Sequence, residues 1–250
     1  MIFERLSKSW SRLLGIMRFA RIIGLRNLFF LIIVKIFRLR RDISYVRFNG
    51  LPVSNFGLQS DESYWKLLNE HLARFKTRED DVFIVSYGKS GHHWSYDFLN
   101  MLLHGNLELD NFVKTAFFVE PILAMTGGMK TFDRLPSPRM IFTHLHADAL
   151  PREVFEKKRK IVRLIRNPKD VAVSAFYHRN LVMKKMRWDD FIEELMDNVE
   201  GKRDSNTLFL ANDADWFTYE LDSESRMNHL DHALVLYYED LNTRRIWCRN

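Results

Sequence analysis

The strongest chemical signal in the sequence is the segment Gly88–Gly91, Gly-Lys-Ser-Gly, which closely follows a short apolar run. A lysine, a hydroxyl and glycines with exposed backbone N–H groups together favour a phosphate or sulfate dianion. The nucleotide-binding pattern G-x-x-x-x-G-K-[ST] is matched only at its end, because Phe83 stands where the first glycine would be. The segment therefore predicts an anion-binding turn and argues against a standard ATPase loop.

Strands alternating with helices must position this turn. The apolar run Val82–Val85 predicts a buried strand, and Trp94–Leu103 resumes helical periodicity after the turn. Further strands are predicted at 140–143, 160–165 and 233–238, and further helices at 62–75, 151–158 and 170–178. This order predicts an α/β domain with a mostly parallel central sheet flanked by helices. Ligands in such sheets gather at the carboxyl ends of the strands, where segments 87–94, 144 and 166 lie.

The composition is that of one globular domain. The 250 residues are 46% hydrophobic and 28% charged, and the single cysteine, Cys248, fits a reducing compartment such as the cytoplasm. The net charge of +6 arises from Arg5–Arg41, with ten basic and no acidic residues, whereas Asp42–Asn250 carries 28 basic and 31 acidic residues. The body lacks the basic excess expected of a nucleic-acid-binding face, so no nucleic-acid partner is predicted.

The sequence divides into a basic, apolar N-terminal extension at residues 1–43 and a domain at 44–250. The longest uncharged stretch of the extension, Asn27–Val34, is shorter than the roughly 20 residues that a membrane-spanning helix needs. A peripheral membrane contact through residues 1–41, an organelle-targeting segment and an extension without a chemical role remain open.

Five segments in order resemble those of the cytosolic sulfotransferases. Tyr87–Trp94 resembles their Tyr-Pro-Lys-Ser-Gly-Thr-Thr-Trp loop, and Arg166–Ser174 is identical to a common form of their second donor-binding motif. The other three are Phe117–Glu120, Ser137–Leu145 and Tyr238–Leu241. The resemblance covers roughly residues 45–241.

The resemblance implies a P-loop-like, three-layer α/β domain that transfers a sulfuryl group from 3′-phosphoadenosine 5′-phosphosulfate to a hydroxyl or amine of a small, apolar acceptor. No metal is required. His144 would be the general base, and Lys89 would neutralise charge on the leaving group. The implied donor-binding residues are Lys89, Ser90, Gly91, His92, His93, Trp94, Arg166 and Ser174, with Trp94 beside the adenine and the last two on the 3′-phosphate.

Each role has a structural alternative. Arg166 could cap its strand by pairing with Asp170, Ser174 could pack on a helix, and His144 could be a core histidine. A metal site made of His92, His93, His144 and His146 is a further alternative, although carboxylate or cysteine partners are not evident.

Several positions depart from the family pattern. His92 and His93 stand where the family has threonines, and Phe142 stands where it has lysine. The Arg-Lys-Gly loop that the family places after the Tyr-Glu-Asp-Leu segment is absent from residues 242–250. We therefore expect a C-terminally incomplete domain with weakened donor binding. The alternative function is a catalytically impaired relative that binds the nucleotide or a protein partner; a nucleotide kinase would need a fuller glycine loop.

Overall fold

The computed structural model describes residues 17, 20–21, 25, 45–48, 51–54, 57–58, 62–105, 130–182, 185–199 and 215–243. The role predicted for the extension falls outside the described residues, which include only four of its positions. The Phe117–Glu120 segment and residues 244–250 also lie outside them. Within the described ranges, no helix is long and apolar enough to cross a membrane.

The described strands form two sheets. Strands β1 (Tyr45–Phe48), β2 (Leu51–Ser54) and β3 (Gly57–Leu58) pair antiparallel in that order. Strands β4 (Val82–Ser86), β5 (Met140–Thr143), β6 (Lys160–Ile165) and β7 (Ala233–Tyr237) are all parallel, in the order β5-β4-β6-β7. The predicted mostly parallel sheet is confirmed, with β4 and β6 in its interior.

Helices follow the strands of the parallel sheet, which confirms the α/β, P-loop-like fold class. They are α1 (Glu62–Ala73), α2 (His92–His104), α3 (Lys130–Asp133), α4 (Arg152–Glu156), α5 (Pro168–Val182), α6 (Trp188–Val199), α7 (Trp216–Met227) and α8 (Tyr238–Thr243). A short 3-10 helix spans Ala147–Ala149.

Strand β4 forms the centre of the core because its apolar run is covered on both sides. All five of its residues are buried, and Phe83, Ile84 and Val85 have no exposed surface. A strand buried on both faces needs a continuous apolar run instead of an alternating one, which is why the sequence revealed it. The core continues into Ile141 and Phe142 on β5 and Ile161 on β6.

A buried ion pair fixes the starts of β4 and β5. Asp81 precedes β4, Arg139 precedes β5, and neither side chain has any exposed surface. Arg139 Nε donates to Asp81 Oδ1 at 2.7 Å, and Arg139 Nη2 donates to the Lys76 carbonyl at 3.0 Å. Because the strands are parallel, this pair lies at the edge of the sheet opposite their carboxyl ends.

Candidate functional site

The carboxyl ends of the four parallel strands bring the predicted site residues to one edge of the sheet. Val85 pairs with Thr143, Ser86 with Leu164, and Ile165 with Tyr237, so all four strands end at nearly the same level. The residues that follow are the 87–91 loop after β4, His144 after β5, Arg166 after β6 and Tyr238 after β7. The parallel topology thus gathers segments that are far apart in the chain.

The loop after β4 turns sharply into helix α2. Lys89 adopts φ of +67° and Gly91 φ of +107°, in the left-handed region that favours glycine. Helix α2 then begins at His92, and no side chain of the described ranges caps its first backbone N–H groups. An uncapped helix start carries a partial positive charge that favours an anion.

Two polar atoms beside this helix start are buried without partners. Ser90 is 1% exposed, and its Oγ has no hydrogen-bond partner among the described residues. The same holds for Nε of Arg166. A buried polar atom without a partner is costly, and such atoms are found where a ligand or water completes the site. The pair points to a polar ligand between the loop and Arg166.

Two cations lie at the same place. Arg166 Nη1 donates to the carbonyl oxygen of Lys89 at 2.9 Å. Burial lowers the pKa of Lys89, and the nearby charge of Arg166 lowers it further. Neither cation forms an ion pair with a carboxylate within the described part of the chain, and Asp170 is therefore not the partner of Arg166. An anionic ligand would relieve the repulsion between them.

The hydrogen bond of His144 defines its tautomer. Nδ1 lies 2.8 Å from the backbone carbonyl of Ser86, and a carbonyl oxygen can only accept. Nδ1 therefore carries the proton, and in the neutral ring Nε2 has the lone pair. A partly buried imidazole held in this way has the form of a general base.

His92 is buried and stacks on His144. The two ring centroids are 4.2 Å apart and the planes differ by 13°. Ser86 Oγ donates to the carbonyl of Tyr87 at 3.0 Å, so it accepts from His92 Nε2 at 2.8 Å. Burial lowers the pKa of His92 well below its usual value, with smaller contributions from His144 and His93, so the ring is neutral.

The residue that replaces the family's lysine packs against the residue that replaces its threonine. Phe142 is buried, and its ring meets His92 edge to face at a centroid distance of 5.3 Å. The two departures from the family pattern are therefore neighbours. An apolar ring beside His92 suits a neutral imidazole, because burial against apolar groups disfavours the charged form.

The other predicted residues lie around this centre. Trp94 is 37% exposed, stacks on Phe98 at 6.0 Å and meets Tyr238 edge to face at 6.3 Å. His93 is exposed in the first turn of α2. Ser174 is partly buried on α5, which begins two residues after Arg166. In the described part of the chain, no side-chain hydrogen bond links Ser174 to the other predicted site residues.

The geometry does not favour the alternative metal site. Stacked rings of His92 and His144 face each other instead of converging on one ion. His146 Nδ1 lies 3.7 Å from Asp222 Oδ2. Across the described ranges, no group of three or more His, Cys, Asp or Glu side chains is placed to hold a metal ion.

No functional role was predicted from the sequence for two residues of the site, Ser86 and Tyr238. Ser86 binds both histidines, one through its hydroxyl and one through its carbonyl. Tyr238 was predicted as the last residue of a strand but begins helix α8, where its ring lies 4.3 Å from the Arg166 guanidinium. Their position at the ends of parallel strands was the available signal.

Comparison with known proteins identifies the family of the chain. A family model described as a sulfotransferase domain matches residues 79–245. The chain is 31% identical to sulfotransferase 1B1 of Canis lupus familiaris over 183 residues, which are 69% of this chain and 57% of that protein. It is 32% identical to sulfotransferase 6B1 of Mus musculus over 178 residues, or 68% of this chain and 52% of that protein. The chain thus spans just over half the length of these relatives.

Two solved structures have a similar fold. Mouse sulfotransferase SULT7A1 complexed with PAP has a TM-score of 0.54 and 26% identity, covering 80% of this chain and 63% of that one. Retinol dehydratase in a complex with retinol and PAP has a TM-score of 0.56 and 21% identity, covering 82% of this chain and 66% of that one. At 21% identity, the second likeness concerns the fold alone.

Proposed function

Because this chain belongs to the sulfotransferase family, we propose that it transfers a sulfuryl group from 3′-phosphoadenosine 5′-phosphosulfate to a hydroxyl or amine of a small, apolar acceptor. The observation that carries the proposal is the pair of cations, Lys89 and Arg166, beside the buried hydroxyl of Ser90 at the start of α2. This arrangement suits a doubly phosphorylated nucleotide. The similar mouse structure complexed with PAP supports the donor.

The donor would supply a sulfur bonded to a good leaving group, and the residues of this chain would do the rest. Ser90 and the first N–H groups of α2, at His92 and His93, would bind the 5′-phosphate, while Arg166 and Ser174 would bind the 3′-phosphate. Trp94 would lie against the adenine. The contacts around the loop support an anion at this place, and the family resemblance predicts which group of the donor each residue binds.

The transfer itself would need a base and a cation. As the acceptor oxygen or nitrogen bonds to sulfur, its proton would pass to Nε2 of His144, since Nδ1 is already protonated. The bond between sulfur and the bridging oxygen would break, and Lys89 would neutralise the charge that develops on that oxygen. No metal enters this scheme, and no nucleic acid is involved.

We place the protein in the cytoplasm and assign residues 44–250 to its catalytic domain.

The first test is binding of 3′-phosphoadenosine 5′-phosphate to the full chain. Ligand at 100 times its Kd should stabilise the protein by roughly 2.7 kcal/mol. For a chain of this size, that shift corresponds to about 5–11 °C in Tm. Arg166→Ala should lose most of the shift, whereas Lys169→Ala, which removes an exposed cation on the next helix, should keep it. Absence of any shift at saturating ligand would exclude the donor assignment.

The second test is sulfuryl transfer to a panel of phenols, alcohols and amines. His144→Ala should lose turnover while 3′-phosphoadenosine 5′-phosphate still shifts its Tm, because the histidine acts on the acceptor proton. Retention of turnover in this variant would remove His144 as the base. A ligand-induced shift in the unsubstituted chain without turnover on any acceptor would instead indicate the catalytically impaired relative.

A further inference from the structure

Tyr238 contacts three of the residues proposed to bind the donor, although it has no assigned part in the reaction. Its ring lies 4.3 Å from the guanidinium carbon of Arg166 and edge to face with Trp94 at 6.3 Å. A Cβ added at Gly91 would lie 2.7 Å from Tyr238 Cδ2, so the ring rests directly on the glycine. One aromatic ring therefore joins the segments after β4, β6 and β7.

The ring restrains a side chain that would otherwise be free to move. Arginine has several rotatable bonds, and an aromatic face attracts its guanidinium. With the ring covering one face of Arg166, Nη1 is directed to the Lys89 carbonyl at 2.9 Å. Nε of Arg166 is buried and has no hydrogen-bond partner among the described residues, so the restrained guanidinium still has a donor to offer to a ligand.

The residue after Tyr238 fastens the same loop. Glu239 Oε1 accepts a hydrogen bond from the backbone N–H of Asn167 at 2.9 Å. Asn167 follows Arg166 directly, so the start of α8 holds both the side chain and the backbone of the 166–167 turn. Tyr238 and Glu239 follow β7, and the 166–167 turn follows β6. These segments meet because β6 and β7 are neighbours in the sheet.

We propose that Tyr238 is a positioning residue that holds Arg166 and the Lys89–Gly91 loop in the geometry that binds a nucleotide carrying 3′- and 5′-phosphates. The inference rests on the proposed function and extends it to a residue outside the ligand contacts. Only the face of the ring is needed for this role, so Tyr238→Phe should preserve it. A ring-free side chain of similar bulk should not.

The test measures the Kd of 3′-phosphoadenosine 5′-phosphate by calorimetry for Tyr238→Phe, Tyr238→Leu and Tyr237→Leu. Tyr237, 50% exposed on β7, is the matched control. Loss of a partly buried cation–aromatic contact, worth about 1–2 kcal/mol, predicts binding roughly 5–30-fold weaker for Tyr238→Leu. The Phe and Tyr237 variants should bind within about twofold of the unsubstituted chain. If Tyr238→Leu does not fold, Tyr238→Met fills the space with a flexible side chain and replaces it.

A double-substitution cycle separates positioning from general loosening of the fold. In an Arg166→Ala background, Tyr238→Leu (or Tyr238→Met) should change the Kd less than it does in the unsubstituted chain, because Arg166 is gone and only the Lys89–Gly91 loop remains to be positioned. Equal weakening in both backgrounds, or no weakening in either, would overturn the inference. If the unsubstituted chain does not bind 3′-phosphoadenosine 5′-phosphate, the proposed function fails with it. Normal binding together with an unaffected Tyr238→Leu variant refutes this inference alone.

Discussion

Substituting Gly91 with alanine tests whether the turn into α2 depends on the absence of a side chain. Gly91 adopts φ of +107°, a conformation that residues with a Cβ rarely adopt. The added Cβ would also lie 2.7 Å from Cδ2 and 2.9 Å from Cε2 of Tyr238. Two separate penalties, backbone strain and a steric clash, therefore act at the same position.

Their sum gives the expected magnitude. A non-glycine residue in a sparsely populated backbone region costs about 1–3 kcal/mol. Forcing an extra methyl group into a filled space costs about 1–3 kcal/mol, because the Tyr238 ring must shift. Gly91→Ala should thus lower the free energy of unfolding by roughly 2–6 kcal/mol, a large part of the about 5–15 kcal/mol typical of a domain.

Urea unfolding followed by circular dichroism measures this cost, and Gly105→Ala is its matched control. Gly105 ends α2 with φ of +61°, and an added Cβ would have no atom of the described residues within 4 Å. The control keeps the strain, about 1–2 kcal/mol, without the clash. Replacing glycine with alanine also lowers the conformational entropy of the unfolded chain, which stabilises the fold. This gain is the same in both variants and cancels when they are compared.

The clash can also be isolated directly. In a Tyr238→Ala background the ring is gone, and Gly91→Ala should cost only its backbone strain. If Gly91→Ala costs no more than Gly105→Ala, or if its cost is unchanged without the Tyr238 ring, the argument from close packing is refuted. Because a displaced ring no longer supports Arg166, Gly91→Ala should also weaken binding of 3′-phosphoadenosine 5′-phosphate.

Three further perturbations test other parts of the structure. Arg139→Met leaves Asp81 charged and buried, so it should lower the free energy of unfolding in urea by about 3–5 kcal/mol; a loss under about 1 kcal/mol would contradict the buried ion pair. The folded His92 has a pKa well below 6.5, so the unfolded chain binds the proton first and stability falls as pH drops below 6.5. Between pH 6.5 and 5, the free energy of unfolding in urea should therefore fall less for His92→Gln than for the unsubstituted chain, by up to about 1.4 kcal/mol per pH unit. Parallel plots of this free energy against pH for the two proteins would refute the assignment. Lys89→Met should not lower the Tm of the unliganded protein, because burial and Arg166 already disfavour the charge of the lysine. The variant should nevertheless lose sulfuryl transfer. A lower Tm would show that the lysine has a stabilising partner.

The sequence alone determined most of the parallel sheet. Strands β5 and β6 coincide with the predicted 140–143 and 160–165. Strand β4 is one residue longer than its apolar run because Ser86 continues the pairing to Leu164. Such strands are readable because burial on both faces demands an unbroken apolar run, a property of neighbouring residues.

Helix ends and turns were less well determined. Helix α2 starts at His92, two residues before the predicted start, because the left-handed backbone of Gly91 ends the turn there. Apolar periodicity does not reveal these boundaries, which depend on local backbone dihedrals and strand pairing.

The chemistry-bearing loop and strand ends could be located from residue types, but their contacts were decided by the tertiary structure. Ser86 and His144 are 58 residues apart and Arg166 and Lys89 are 77 apart, yet each pair is joined by a hydrogen bond. The stacking of His92 on His144 and of Arg166 on Tyr238 depends on strand order, register and side-chain rotamers. A linear pattern of residue types carries information about neighbours along the chain, whereas these contacts exist only once parallel strands β5-β4-β6-β7 have aligned their carboxyl ends.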